Sequence, residues 1–122
     1  MRLYHYTCSH ARAKILLDGI LKPNERSYRR LLWLTDLEVP HVQGLGLTSF
    51  MLRCDRTEWR VTVNTEIAER WTEYAHRMRV EWPIRQVLDG VPGAQPLHWW
   101  VSEVDIPITV VERAEKGVRS WP

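Results

Sequence analysis

Lysine is scarce in this chain. Of its 17 basic residues only Lys14, Lys22 and Lys116 are lysine. The positive charge is therefore nearly all guanidinium, which suits planar contacts to phosphate and carboxylate but is equally the mark of a GC-rich genome. Cysteine is scarcer still: Cys8 and Cys54 can close one bridge at most, which excludes a disulfide-stapled scaffold and fits reduced thiols. No apolar run approaches the roughly 20 residues of a membrane-spanning helix, and no charged-then-apolar leader opens the sequence. The expectation is a cytoplasmic protein with no membrane partner.

Signatures of common chemistry are lacking too. There is no P-loop, no GxGxxG, no HExxH and no GxSxG elbow, and the "GLG" at Gly44 to Gly46 lacks a third glycine. Cys8, His10, His5, His41, Cys54, His76 and His98 are donors in principle, yet none stands at zinc-site spacing, so no metal is expected. Repeats, low-complexity tracts and linkers are absent, which makes residues 1–122 one domain. A chain of this length buries roughly two-thirds of its unfolded surface. What is present is globular in balance, with 44% apolar and 26% charged residues. Seven tryptophans supply core volume, and a net charge of +2 neither demands nor excludes nucleic acid.

Arg2 to Thr7 alternates, with Leu3, His5 and Thr7 on one face and Arg2, Tyr4 and Tyr6 on the other, which predicts a strand. Ser9 is placed to cap a helix in which Ala13, Leu16, Leu17 and Ile20 form a buried stripe, with Gly19 as its stop and Pro23 beyond. "NERSYRR" reads as a polar loop carrying Arg26, Arg29 and Arg30, "LLWLT" as a buried strand, and residues 41–57 as an irregular loop. "EWRVTV" alternates as a strand, with Trp59, Val61 and Val63 on one face. Ile67, Trp71, Tyr74 and Met78 predict a helix through "TEIAERWTEYAHRM", and "IRQVLDG" adds one or two turns. "VPGAQP" is a turn, "LHWWVSEV" and "ITVVE" are two last strands separated by Pro107, and "KGVRSWP" is a loose end. Without strict βαβ alternation the class is α+β.

The run "LYHYT…ILLDGILKPN…LLWLT" resembles the ADP-ribosyltransferase-like superfamily, in which a histidine-bearing first strand is followed by a short helix, a glycine turn and a second strand. The motifs "YHYT", "WLTD", "LGLTS", "CDRT", "WRVTV" and "HWWVS", in that order, are similar to those of a group of small bacterial and phage proteins. The resemblance implies an ADP-ribosyltransferase-like fold, with small mixed or antiparallel sheets flanked by two or three helices. It implies NAD as cofactor, His5 on the ribose beside nicotinamide, and Thr7 adding a hydroxyl contact. Trp33 and Thr35, on one face of the second strand, would meet the nicotinamide, Trp33 standing where the family carries a tyrosine. Glu103, on the late strand, would be the catalytic carboxylate, and Arg29 and Arg30 would border the pyrophosphate.

Each assignment has a plainer counterpart. His5 is either a cleft residue or a core histidine bonded to a backbone carbonyl. Trp33 either stacks on a ligand or fills the core. Glu103 is either a buried catalytic carboxylate or an exposed one at a strand end. Arg26, Arg29, Arg30, Arg53, Arg56 and Arg60 either receive phosphate or pair with Glu25, Asp55 and Glu58 in solvent. Two whole-protein readings follow. One is an NAD-dependent transferase passing ADP-ribose to a nucleic-acid or protein acceptor, His5 and Glu103 being its catalytic pair. The other is a non-catalytic module of phage or toxin type that binds a nucleotide, a nucleic acid or a host protein.

Overall fold

The computed structural model describes residues 1–25, 27–38, 58–89 and 95–114. The expectations for Arg26, for the loop at residues 41–57 with its Cys54, Arg53 and Arg56, for most of the "VPGAQP" turn and for the tail lie outside the described residues. The chain is α+β. Strand β1 (Arg2–Thr7) leads into helix α1 (Ser9–Asp18), then β2 (Ile20–Leu21), a single 3-10 turn at Tyr28–Arg30, and β3 (Leu32–Thr35). After these come β4 (Trp59–Asn64), β5 (Glu69–Arg70), α2 (Trp71–Arg77), α3 (Trp82–Asp89), β6 (Trp99–Ser102), β7 (Ile106–Pro107) and β8 (Val110–Arg113). Six strands form one antiparallel sheet in the order β5-β6-β3-β1-β4-β8, and β2 pairs with β7 in a separate ribbon.

Register decides what each face of the sheet carries. His5 lies opposite Val61, Leu3 opposite Val63, and Tyr4 opposite both Thr62 and Thr35. Because side chains alternate along a strand, Leu3, His5, Thr7, Leu32, Leu34, Val61 and Val63 share one face. Leu21 of β2, Ile106 of β7 and the inward Ile15 of α1 close over it. The opposite face carries Tyr4, Tyr6, Trp33, Thr35, Trp99 and Val101. There α2 and α3 pack Trp71, Tyr74, Ala75, Ile84 and Leu88 around Trp33, Trp99 and Val101. The strands are thus buried on both sides, which is why "LLWLT" is continuously apolar rather than alternating.

Local chemistry sets the element ends, and in places moves them. Gly19 adopts φ +69° and sends its N–H to the Ile15 carbonyl (2.9 Å), a left-handed C-cap that only glycine reaches without strain. Cys8, not Ser9, is the N-cap residue, and its side chain makes no capping hydrogen bond to the helix. The expected stripe on α1 is overturned: Ala13, Leu16 and Leu17 are exposed, Leu17 by 86%, and Ile15 is the residue that turns inward. The second helix is also shorter than its periodicity suggests. The Thr65 hydroxyl accepts the Ile67 N–H (3.0 Å), turning the chain so that Glu69–Arg70 pair with β6, and Ile67 is left 63% exposed. Pro107 is not a break between strands but sits within one, with Ile20 opposite it.

Candidate functional site

Strands β1 and β4 pair at all six positions of β1, whereas β1 and β3 share the single pair Tyr4↔Thr35. Beyond that pair β1 and β3 diverge. Where they diverge the His5 Nδ1–H donates to the Trp33 carbonyl (2.9 Å), taking an acceptor that a closed ladder would have used. Since a carbonyl only accepts, the bond places a proton on Nδ1. The histidine is therefore bonded to a backbone carbonyl and at the same time half-buried at the wall of a cleft.

The cleft has a volume of about 780 Å³, within the usual span for a ligand site. Its walls draw on both faces of the sheet: His5, Thr7 and Leu34 from one, Tyr6, Trp33 and Thr35 from the other. It therefore runs through the gap between β1 and β3. Helix α1 forms one side through Ala11, Lys14 and Asp18, and α3 reaches it with Val87 and Leu88. Trp33 stands against Trp71 (4.9 Å, 49°) and edge-on to Trp99 (5.8 Å, 88°), an aromatic wall held from behind. The Thr35 hydroxyl accepts the Leu37 N–H (3.1 Å), bending the chain off β3. The Tyr6 hydroxyl then lies 2.8 and 2.7 Å from the Leu37 and Glu38 carbonyls. Burial raises the Tyr6 pKa far above the ordinary tyrosine value, against the opposing effect of Arg60.

His5, Thr7, Trp33 and Thr35 thus line one cleft. Glu103, Arg29 and Arg30 do not line it among the described residues. Strand β6 ends at Ser102, which leaves Glu103 exposed just beyond it, accepting the Tyr74 hydroxyl (3.0 Å). Burial first, and this carboxylate second, raise the Tyr74 pKa. Arg29 lies against Tyr28, its Nε donating to that hydroxyl (3.1 Å), and Arg30 pairs loosely with Glu25 (3.7 Å). Both arginines hold positive φ, 54° and 52°.

No match is found to any family model, curated protein or solved structure.

One constellation escaped the sequence reading. The His98 Nδ1 meets Asp36 Oδ1 at 2.6 Å, Trp100 Nε1 donates to Asp36 Oδ2 (3.2 Å), and the Asp36 N–H donates to the His98 carbonyl (3.2 Å). The carboxylate so held ties the end of β3 to the start of β6 and orients a partly exposed imidazole. The signal was available: alternation puts His98 and Trp100 on one face, and Asp36 directly follows the strand that pairs with them.

Proposed function

We propose that this chain is an ADP-ribosyltransferase-like binding module that holds NAD, or a related nucleotide, in the cleft between β1–α1 and β3. The observation that carries the reading is His5. Its ring lines the cleft where two strands diverge, and its Nδ1 is anchored on the Trp33 carbonyl. A ribose hydroxyl would meet the Nε2 edge of that ring, Trp33 offers a flat apolar surface to the nicotinamide, and the cleft is large enough for both.

Transfer of ADP-ribose to a nucleic-acid or protein acceptor makes a further demand. An oxocarbenium-like transition state needs a carboxylate at the anomeric carbon. Glu103 sits outside the cleft lining, bonded to Tyr74. Among the described lining residues the one carboxylate is Asp18, exposed and paired with Lys22 at 3.6 Å. This placement supports binding over transfer.

Thermal melting with and without millimolar NAD tests the reading, run on the parent, His5→Asn and His5→Ala. At a hundred times its dissociation constant a ligand adds about 2.7 kcal/mol to the folded state. At ~4 °C per kcal/mol for a domain of this size, that is a rise of about 10 °C. His5→Asn places an amide N–H where Nδ1 stood and keeps the Trp33 bond, so it should fold yet lose the shift. His5→Ala should lose both. A parent whose melting temperature does not respond to NAD overturns the proposal, and nicotinamide release on incubation would move the chain to the transferase reading.

A further inference from the structure

Thr35, Trp99 and Tyr6 line the cleft, and all three are held through Asp36, which is not among its described lining. Asp36 directly follows β3, and both of its carboxylate oxygens are committed to the start of β6. Oδ1 accepts the His98 Nδ1–H (2.6 Å) and Oδ2 accepts the Trp100 indole N–H (3.2 Å). Since His98 and Trp100 flank Trp99, one carboxylate grips the strand on either side of that residue. Side chains alternate along a strand, so Trp99 points to the opposite face. There it is 6% exposed, lines the cleft and stands edge-on to Trp33. Thr35, the residue before Asp36, lies opposite Trp99 in the register. The two residues after Asp36 extend the hold to Tyr6, whose hydroxyl meets the Leu37 and Glu38 carbonyls. Arg60 Nη1 fixes the Glu38 carbonyl from β4 (2.6 Å).

We infer that Asp36 is a positioning residue of the cleft, acting through His98 and Trp100 to set the aromatic wall that Trp99 and Trp33 present. The inference rests on the nucleotide reading for its effect on binding, and on the chain alone for its effect on the wall. Hydrogen bonds carry this hold, and asparagine can keep them. A carboxylate only accepts, so it meets a proton on His98 Nδ1. The oxygen of an asparagine would still take the Trp100 N–H. Its amide N–H would donate to His98 Nδ1, the neutral imidazole then carrying its proton on Nε2. The His98 side chain is 45% exposed, so water satisfies that proton. Alanine keeps neither bond.

Asp36→Ala and Asp36→Asn, compared with the parent by indole N–H NMR of the free chain and by NAD titration, test the role. The Trp99 and Trp33 indole signals should shift in Asp36→Ala and return toward their parent positions in Asp36→Asn. Far-UV circular dichroism should stay unchanged in both. NAD affinity should fall about tenfold in Asp36→Ala and recover in Asp36→Asn. If Asp36→Ala does not fold, His98→Ala removes one of the two side-chain bonds at a partly exposed position and is read in its place. Indole signals that stay in place in the alanine variant, or move as far in Asp36→Asn, overturn the inference whether or not NAD binds. Equal NAD affinity in the parent and the alanine variant overturns it as well. A parent that does not bind NAD, with indole signals that follow the expected pattern, keeps the positioning role and removes the nucleotide reading.

Discussion

Replacing Trp71 by Phe tests how the rear wall of the cleft is held. Trp71 is fully buried, stacks on Tyr74 (6.0 Å, 26°), touches Trp33 (4.9 Å), and donates its indole N–H to Asp89 Oδ1 (2.7 Å). That bond joins the first residue of α2 to the last of α3. Phenylalanine keeps a ring but loses the donor and some of the volume. A hydrogen bond to a charged group is worth about 1.5–3 kcal/mol net. The lower half applies here, since Asp89 retains Arg85 at 3.3 Å and some solvent contact. Adding a partial cavity, well short of the ~3–5 kcal/mol of full truncation to alanine, gives a loss of about 2–4 kcal/mol. Against a total stability of about 5–15 kcal/mol this is severe but survivable.

Urea unfolding followed by far-UV circular dichroism avoids the fluorescence change that the substitution itself causes. In an Asp89→Ala background Trp71→Phe should cost less than in the parent, by about 1 kcal/mol or more, because the bond is already gone. Strict additivity of the two changes, or a single-variant loss under about 1 kcal/mol, would refute the idea that this bond holds α3. Since Val87 and Leu88 of α3 and Trp33 beside Trp71 line the cleft, Trp71→Phe should also weaken the NAD response although Trp71 does not itself line it.

Gly19→Ala meets no atom within 4 Å of the new Cβ, so its cost should be the left-handed backbone alone, about 1–2 kcal/mol in a chemical melt; a neutral result would mean that the C-cap relaxes. Alkaline pH should destabilise the fold through two tyrosines. Burial raises the pKa of Tyr6, and of Tyr74 with help from Glu103. The folded state therefore holds these protons more tightly than the unfolded chain, whose tyrosines titrate near ~10. This contribution is fully present below that pH and is lost as pH rises above it. Tyr6→Phe should be less stable at neutral pH, having lost its bond to the Leu37 and Glu38 carbonyls, yet lose less between neutral and strongly alkaline pH. An unchanged slope of urea midpoint against pH would count against it.

Much of this architecture was legible in the sequence because it is written locally. The alternation of Arg2–Thr7 and of "EWRVTV" and the glycine stop at Gly19 depend on neighbours along the chain. What was illegible depends on distant ones. Helix periodicity can offer Leu16 and Leu17 as a buried face, but the sheet beneath and the ribbon of β2 and β7 decide that Ile15 turns inward. The pattern around Ile67 is helical until Thr65 and the edge of β6 claim those residues. The family resemblance is what gathers His5, Thr7, Trp33 and Thr35 into one expected site, and they line one cleft because β1 and β3 are neighbours in the sheet. Glu103 could not be placed, since alternation gives a face but not where a strand ends.

The pairing of β1 also constrains the birth of the protein. Strand β1 is a central one, with Arg2 meeting Asn64 and Thr7 meeting Trp59. While the chain is being synthesised, β3 offers β1 only the Tyr4↔Thr35 pair, and the strand that pairs with it along its whole length, β4, emerges later, with β8 later still to cover β4. Loop closure of that length precedes any reward from the contacts it permits. An apolar strand left waiting in this way is exposed to wrong partners. Slow translation between the first helix and β4 would lengthen the wait, whereas slowing after β4 would not.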